Sequence, residues 1–238
     1  MIKYYFVLRK SLPLALLFLV QNLSALDLQN IEITKKEAGF DFRGEYNKTL
    51  NHSIDFSALG SIELNEQFKF KSGLALGNTG GGFDIKTFIQ SGIGPLFNRP
   101  LYASLSYVYN GLPDYESHAH IILPFVSYNG QRAGISIGPN FRFNRYFGEL
   151  SVFESTLSFL IYVYLINYDK LRIGMNVANF NDFYVGLFGS YFLNLNSLIR
   201  INNQWSIVND IELLQSGGTA LTTNFYGIVY RGGVRFSW

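Results

Sequence analysis

From Gly39 to the last residue, apolar and polar side chains alternate at a period of two, segment after segment, and this limits what the chain can become. The final stretch shows the pattern at length. Between Thr222 and Trp238, Tyr226, Ile228, Tyr230, Val234, Phe236 and Trp238 share one parity, while Thr223, Arg231, Arg235 and Ser237 share the other. Successive side chains of a strand point to opposite faces, so this segment reads as a β-strand with one greasy face and one polar face. Eleven further segments carry the same signature. They are Phe40 to Tyr46, Ile54 to Leu64, Phe68 to Leu76, Phe83 to Gln90, Leu101 to Tyr109, Ala119 to Ser127, Ala133 to Phe143, Leu157 to Leu165, Leu171 to Val177, Val185 to Ile201 and Trp205 to Leu213.

The final segment is about twice as long as an ordinary globular strand and ends on an aromatic residue at the C-terminus. It resembles the closing strand of bacterial outer-membrane β-barrels. That resemblance implies an all-β fold, a transmembrane antiparallel up-and-down barrel of about twelve strands. It also implies that Phe236 and Trp238 are the signal read by the barrel-assembly machinery, and that the partners are outer-membrane lipids.

Composition agrees. The chain is 48% hydrophobic and 17% aromatic with 23 Gly, yet beyond the N-terminal segment no apolar run approaches the roughly 20 residues of a membrane helix. Met1 to Ala25 has a basic start (Lys3, Arg9, Lys10), an apolar stretch from Leu12 to Val20 and a Leu23-Ser24-Ala25 cleavage site, which predicts a signal peptide. Residues 26–38 read as a periplasmic lead-in, and residues 39–238 as the barrel. Removing the signal shifts the net charge from +2 to about −1, which argues against nucleic acid as a partner. No cysteine is present, so neither a disulfide framework nor a thiolate metal site can form. No metal or cofactor is expected.

Two internal patterns support the barrel. Within the segments, Lys69, Lys71, Lys86, Arg132, Arg142, Arg172, Arg200, Arg231 and Arg235 fall on the parity opposite to the apolar residues, and so do the acids. A cation facing lipid at mid-bilayer costs about 2–4 kcal/mol, enough to keep the outer face clean. Counting back from Trp238, the periplasmic turns are Asn202 to Gln204, Tyr168 to Lys170, Asn129 to Gln131 and Asn65 to Gln67, all tight. The outer loops Gly77 to Gly82, Asn110 to Ser117 and Asn144 to Glu154 are longer, as in membrane barrels. Gly92 to Pro100 breaks this rule, and if it marks mispaired strands the count falls to ten.

Candidate chemistry lies in two places. The polar parity, facing the lumen, holds more cations than anions. Arg132, Arg172 and Arg200 sit beside periplasmic turns, with Arg235 toward the same end; Arg231 and Lys69 line the wall above. A basic ring at a constriction concentrates anions. The alternative is that opposite charges pair across strands and fill the lumen. Tyr162, Tyr164, Tyr184 and Phe188 also point inward on this reading. The second place is Glu116-Ser117-His118-Ala119-His120 at the outer rim. Residues two apart share a side, so both imidazoles would point into the lumen. They could chelate a metal, or serve as the base in a hydrolase, but no third ligand or orienting acid is evident.

The expected function is therefore passive passage of small hydrophilic solutes, with a preference for anions. In size and strand count the chain is similar to small twelve-stranded channels for acidic oligosaccharides. The alternatives are a rim-site hydrolase of lipid or peptide, and a non-conducting surface adhesin or structural barrel.

Overall fold

The computed structural model describes residues 33–47, 51–64, 67–79, 82–148, 150–183, 185, 190–216 and 224–237. The segment expected to be a signal peptide and Trp238 lie outside them, as do Tyr184 and Phe188. Twelve strands form: β1 Ile33–Asn47, β2 Asn51–Leu64, β3 Phe68–Thr79, β4 Gly82–Ile93, β5 Leu101–Leu112 and β6 Ser117–Asn129, followed by β7 Ala133–Tyr146, β8 Leu150–Asn167, β9 Leu171–Ala178, β10 Ser190–Arg200, β11 Trp205–Ser216 and β12 Asn224–Ser237. Each pairs antiparallel with its sequence neighbours, and β1 pairs with β12 to close the barrel. β1 begins at Ile33, inside the stretch read as a lead-in.

β4 and β5 pair directly, from Ile85 opposite Gly111 to Ile93 opposite Ala103, so the count is twelve and not ten. Their connection is long but folded on itself: Leu96 N–H donates to Leu101 O (2.9 Å) and Arg99 N–H to Leu96 O (2.9 Å). The tight turns at Tyr168 to Lys170, around Asn202 to Gln204 and at Gly130 to Gln131 fall where the sequence places them, while Asn65 and Glu66 lie outside the described residues. The outer connections are shorter than expected, because β5, β7 and β8 run further toward the rim than the alternation alone indicates.

The faces separate as alternation requires. On β7, Ile135 and Ile137 are exposed on the outside, while Ser136, Asn140 and Asn144 are buried toward the lumen. Exposed Leu157, Ile161, Val163, Ile207, Ile211 and Val234 continue the apolar belt around the barrel. In water such a belt would be costly, whereas against lipid tails every backbone polar group is already paired in the closed ladder.

The β6–β7 seam shows how the ladder tolerates proline. The register on both sides, Ile122 opposite Phe141 and Val126 opposite Ile137, places Pro124 across from Pro139. Neither has an N–H, so setting them opposite each other confines the missing donors to one step of the ladder, with the pairing intact on both sides. Gly138 then lets the strands approach: a Cβ there would lie 2.0 Å from Pro124 O.

Candidate lumen and rim sites

The longest connection follows β9. The sequence assigns residues from Val185 onward to a strand, but β10 starts at Ser190, and Phe180, Phe183 and Val185 pack into the lumen. β9 ends early, and Asn179 takes over its pairing with β8. Its backbone N–H donates to Phe159 O (3.0 Å), its Oδ1 accepts from Phe159 N–H (2.7 Å), and its Nδ2 donates to Leu157 O (2.8 Å). Phe180 and Val185 then bridge each other and pack against Phe88, Val108, Ile121 and Leu123, inward residues of β4, β5 and β6. Phe183 meets Phe88 edge-on at 5.0 Å, and Asp182 forms an ion pair with Lys71 of β3.

This inward segment divides the lumen into two walls. Along β4–β6 the segment covers an apolar cluster of Phe88, Val108, Ile121 and Leu123, with Asp84 and Lys86 paired on β4. Along β7–β10 the wall is polar: Asn140 donates to Thr156 Oγ1 (2.9 Å) and Ser158 Oγ (2.8 Å), and Asn144 donates to Glu154 (2.8 Å). Asn176 stands opposite Asn194 on the same wall. Among the described residues Arg142 Nε and the Oδ1 atoms of Asn140, Asn176 and Asn194 are buried without a protein partner.

The lumen charges sort into paired and unpaired. Lys69 pairs with Glu63 (3.0 Å), Lys86 with Asp84 (2.6 Å) and Arg231 with Glu212 (2.9 Å), besides Lys71 with Asp182. Lys69 and Arg231 are thus neutralised where they stand. Arg235 keeps the inward parity of β12. At the periplasmic end, Arg132 occupies a turn and does not belong to β7, Arg172 opens β9 and Arg200 closes β10. They cluster around the lower edge of the polar wall. Arg132 O accepts from Tyr164 N–H (2.7 Å), the Arg172 guanidinium lies 5.3 Å from the Tyr164 ring, and Arg200 N–H donates to Lys170 O (2.9 Å). Arg172 Nε donates to Asn167 (3.1 Å). None of the three forms an ion pair among the described residues. Tyr162 and Tyr164 do face inward, their rings tilted at 53° with centroids 5.3 Å apart.

The inward orientation expected of the histidines is overturned. On β6 the buried inward residues are Ile121, Leu123 and Ser127, and the exposed ones are Ile122, Val126 and Tyr128. His118 and His120 share the second parity and so lie on the outer surface. His120 Nδ1 bonds the Tyr107 hydroxyl (2.7 Å), and the two imidazoles meet edge-on at 5.2 Å. The serine does not join them: Ser117 Oγ donates to Tyr115 O (2.9 Å) and accepts from Phe147 N–H (3.2 Å). No group of three metal-ligating side chains occurs among the described residues. Among the described residues Ser117 Oγ bonds neither imidazole, the contact that a nucleophile and its base would make.

No protein-family model matches this chain, and no curated protein matches it in sequence. Solved structures do match it. The NanC porin superposes with a TM-score of 0.56 at 11% identity, covering 83% of this chain and 98% of that one. The KdgM porin in complex with disordered oligogalacturonate gives 0.54 at 11% identity, covering 84% and 99%. A second KdgM porin structure gives 0.51 at 13%. With a closed twelve-stranded ladder and a lipid-facing apolar belt, the chain is an outer-membrane β-barrel with the fold of the small porins.

Proposed function

We propose that this barrel is a narrow passive channel for small hydrophilic solutes that favours anions. The observation carrying this reading is the continuity of the polar β7–β10 wall with Arg132, Arg172 and Arg200 at its periplasmic end, while the cations opposite are neutralised by acids. Buried polar atoms without protein partners call for water, so this wall suits a hydrated path. Unpaired guanidinium groups at a narrow opening raise the local anion concentration. KdgM, which shares the fold, was captured with oligogalacturonate, a carboxylate-bearing saccharide; a solute of that charge would suit the arginine mouth.

The apolar cluster around Phe180 and Val185 favours a second reading, a closed barrel with no through-path. Planar-bilayer recording separates the two. A channel gives steady conductance with anion selectivity that fades as salt rises, because the screening length falls from about 10 Å at 0.1 M to about 3 Å at 1 M. Changing Arg132, Arg172 and Arg200 together to Gln shifts the reversal potential toward cations without loss of insertion. No steady conductance in either form establishes the closed barrel. Unchanged selectivity in the triple variant removes the arginines as the selectivity element.

A further inference from the structure

Among the described strand side chains the outer surface of the barrel is mainly apolar, with uncharged polar residues such as Thr87 and Asn209 among them. Among strand residues whose side chains are described, Arg145 of β7 is the only charged one on the lipid-facing parity, and its cross-strand partner is His118. His120 stands one step below, opposite Phe143 on one side and Tyr109 on the other. The patch sits at a definite depth. From His118 down to Tyr128 is about ten residues at about 3.4 Å each, which at a strand tilt near 40° spans roughly the 25 Å apolar band of an outer-membrane barrel. His118 and Arg145 therefore lie where the outer-leaflet headgroups begin, and there a lipid-facing cation costs only about 0–1 kcal/mol.

The side chains are arranged as donors over an apolar floor. Arg145 Nε is fixed by Gly148 O (2.8 Å), and its Nη groups have no protein partner among the described residues. Tyr107 holds His120 by Nδ1, which directs Nε2 away from that bond. His118 lies 6.2 Å from the Tyr109 ring at 29°. Its β5 neighbour, Gly111, adds no side chain, and a Cβ there would meet the Tyr109 hydroxyl at 2.7 Å. Below and beside them Ile122, Phe143 and Phe153 are exposed toward the acyl region. A planar guanidinium with two imidazoles matches a phosphate, and the exposed rings match the sugar and chain that carry it. We propose that His118, His120 and Arg145 form a docking site for the phosphate-bearing headgroup of an outer-leaflet glycolipid. The site is independent of whether the lumen conducts.

The test uses the full-length protein in vesicles containing either a phosphorylated glycolipid or its dephosphorylated counterpart. Two variants accompany it, Arg145→Gln and the double variant His118→Gln with His120→Gln. Retained lipid per barrel is measured by mass spectrometry after detergent extraction, and barrel unfolding by heat-modified gel mobility. The wild type should retain the phosphorylated lipid and unfold at higher temperature with it; Arg145→Gln should retain about tenfold less, the loss of one charge-assisted contact, and the double histidine variant, which loses two contacts, at least about tenfold less. Equal retention of the dephosphorylated lipid, or full retention by both variants, overturns the proposal. So does inorganic phosphate reproducing the wild-type thermal shift, since that identifies a site for the free anion. Should Arg145→Gln not assemble, the histidine variant decides by the same readout.

Discussion

Ile137 is 45% exposed and its neighbour Ser136 is 8% exposed, because consecutive residues of β7 face lipid and lumen in turn. Replacing Ile137 with Arg puts a cation near mid-bilayer and should cost about 2–4 kcal/mol in a lipid unfolding assay. Ser136→Ala loses only its 2.7 Å bond to Ser127, about 0.5–1.5 kcal/mol. Equal losses would mean that the two faces are wrongly assigned. The same rule, applied to His118 and His120, points the wrong way for a physical reason. β6 carries apolar residues on both parities, Ile121, Leu123 and Phe125 as well as Ile122 and Val126. With no charge on that strand to mark the lumen side, polarity alone sends the imidazoles inward, whereas the inward positions are taken by residues that receive Phe180 and Val185.

Among the elements, the inward segment after β9 matters most for passage. It is held at its root by Asn179, whose side chain and backbone replace three ladder bonds. Asn179→Ala leaves a buried N–H and C=O of β8 unpaired, at about 1–3 kcal/mol each. The expected outcome is a less stable barrel whose segment loosens from the β4–β6 wall, read as higher single-channel conductance together with lowered unfolding temperature. A conductance and stability both equal to wild type would show that the segment is held elsewhere. The sequence hides this element because Val185 and the residues after it alternate like a strand. Apolar residues packing into a lumen cluster and apolar residues facing lipid leave the same trace at period two.

Closure is a property of the whole molecule. β12 pairs with β1 from Gly39 opposite Ser237 to Asn47 opposite Val229, and Phe236 packs against Trp205 of β11 with the rings tilted and their centroids 4.9 Å apart. An unclosed edge in a bilayer leaves a row of backbone donors and acceptors without water, so partial barrels are not tolerated. We propose that the aromatic-ended terminus is also what the assembly machinery reads. Deleting Phe236 to Trp238 should sharply reduce heat-modifiable barrel in outer-membrane fractions and leave degraded or periplasmic chain. Normal barrel in that deletion would refute the role given to the terminus.

Alternation along the chain, with the lysines and arginines of the predicted segments on one parity and tight turns at Asn129 to Gln131 and Asn202 to Gln204, determines by itself antiparallel strands with one apolar and one polar face; a two-sheet sandwich would satisfy that pattern as well, and it is the pairing of β1 with β12 that makes it a barrel with an apolar exterior. Twelve rather than ten strands was decided only when β4 met β5 across the long connection with its two prolines. What fills the lumen was likewise beyond the sequence. The pairing of Lys71 with Asp182, 111 residues away, and the seating of Phe180 between β4 and β6 are contacts across the barrel's interior. Local periodicity reports which side of a strand a residue lies on; only the closed barrel fixes which distant residues share that side's space.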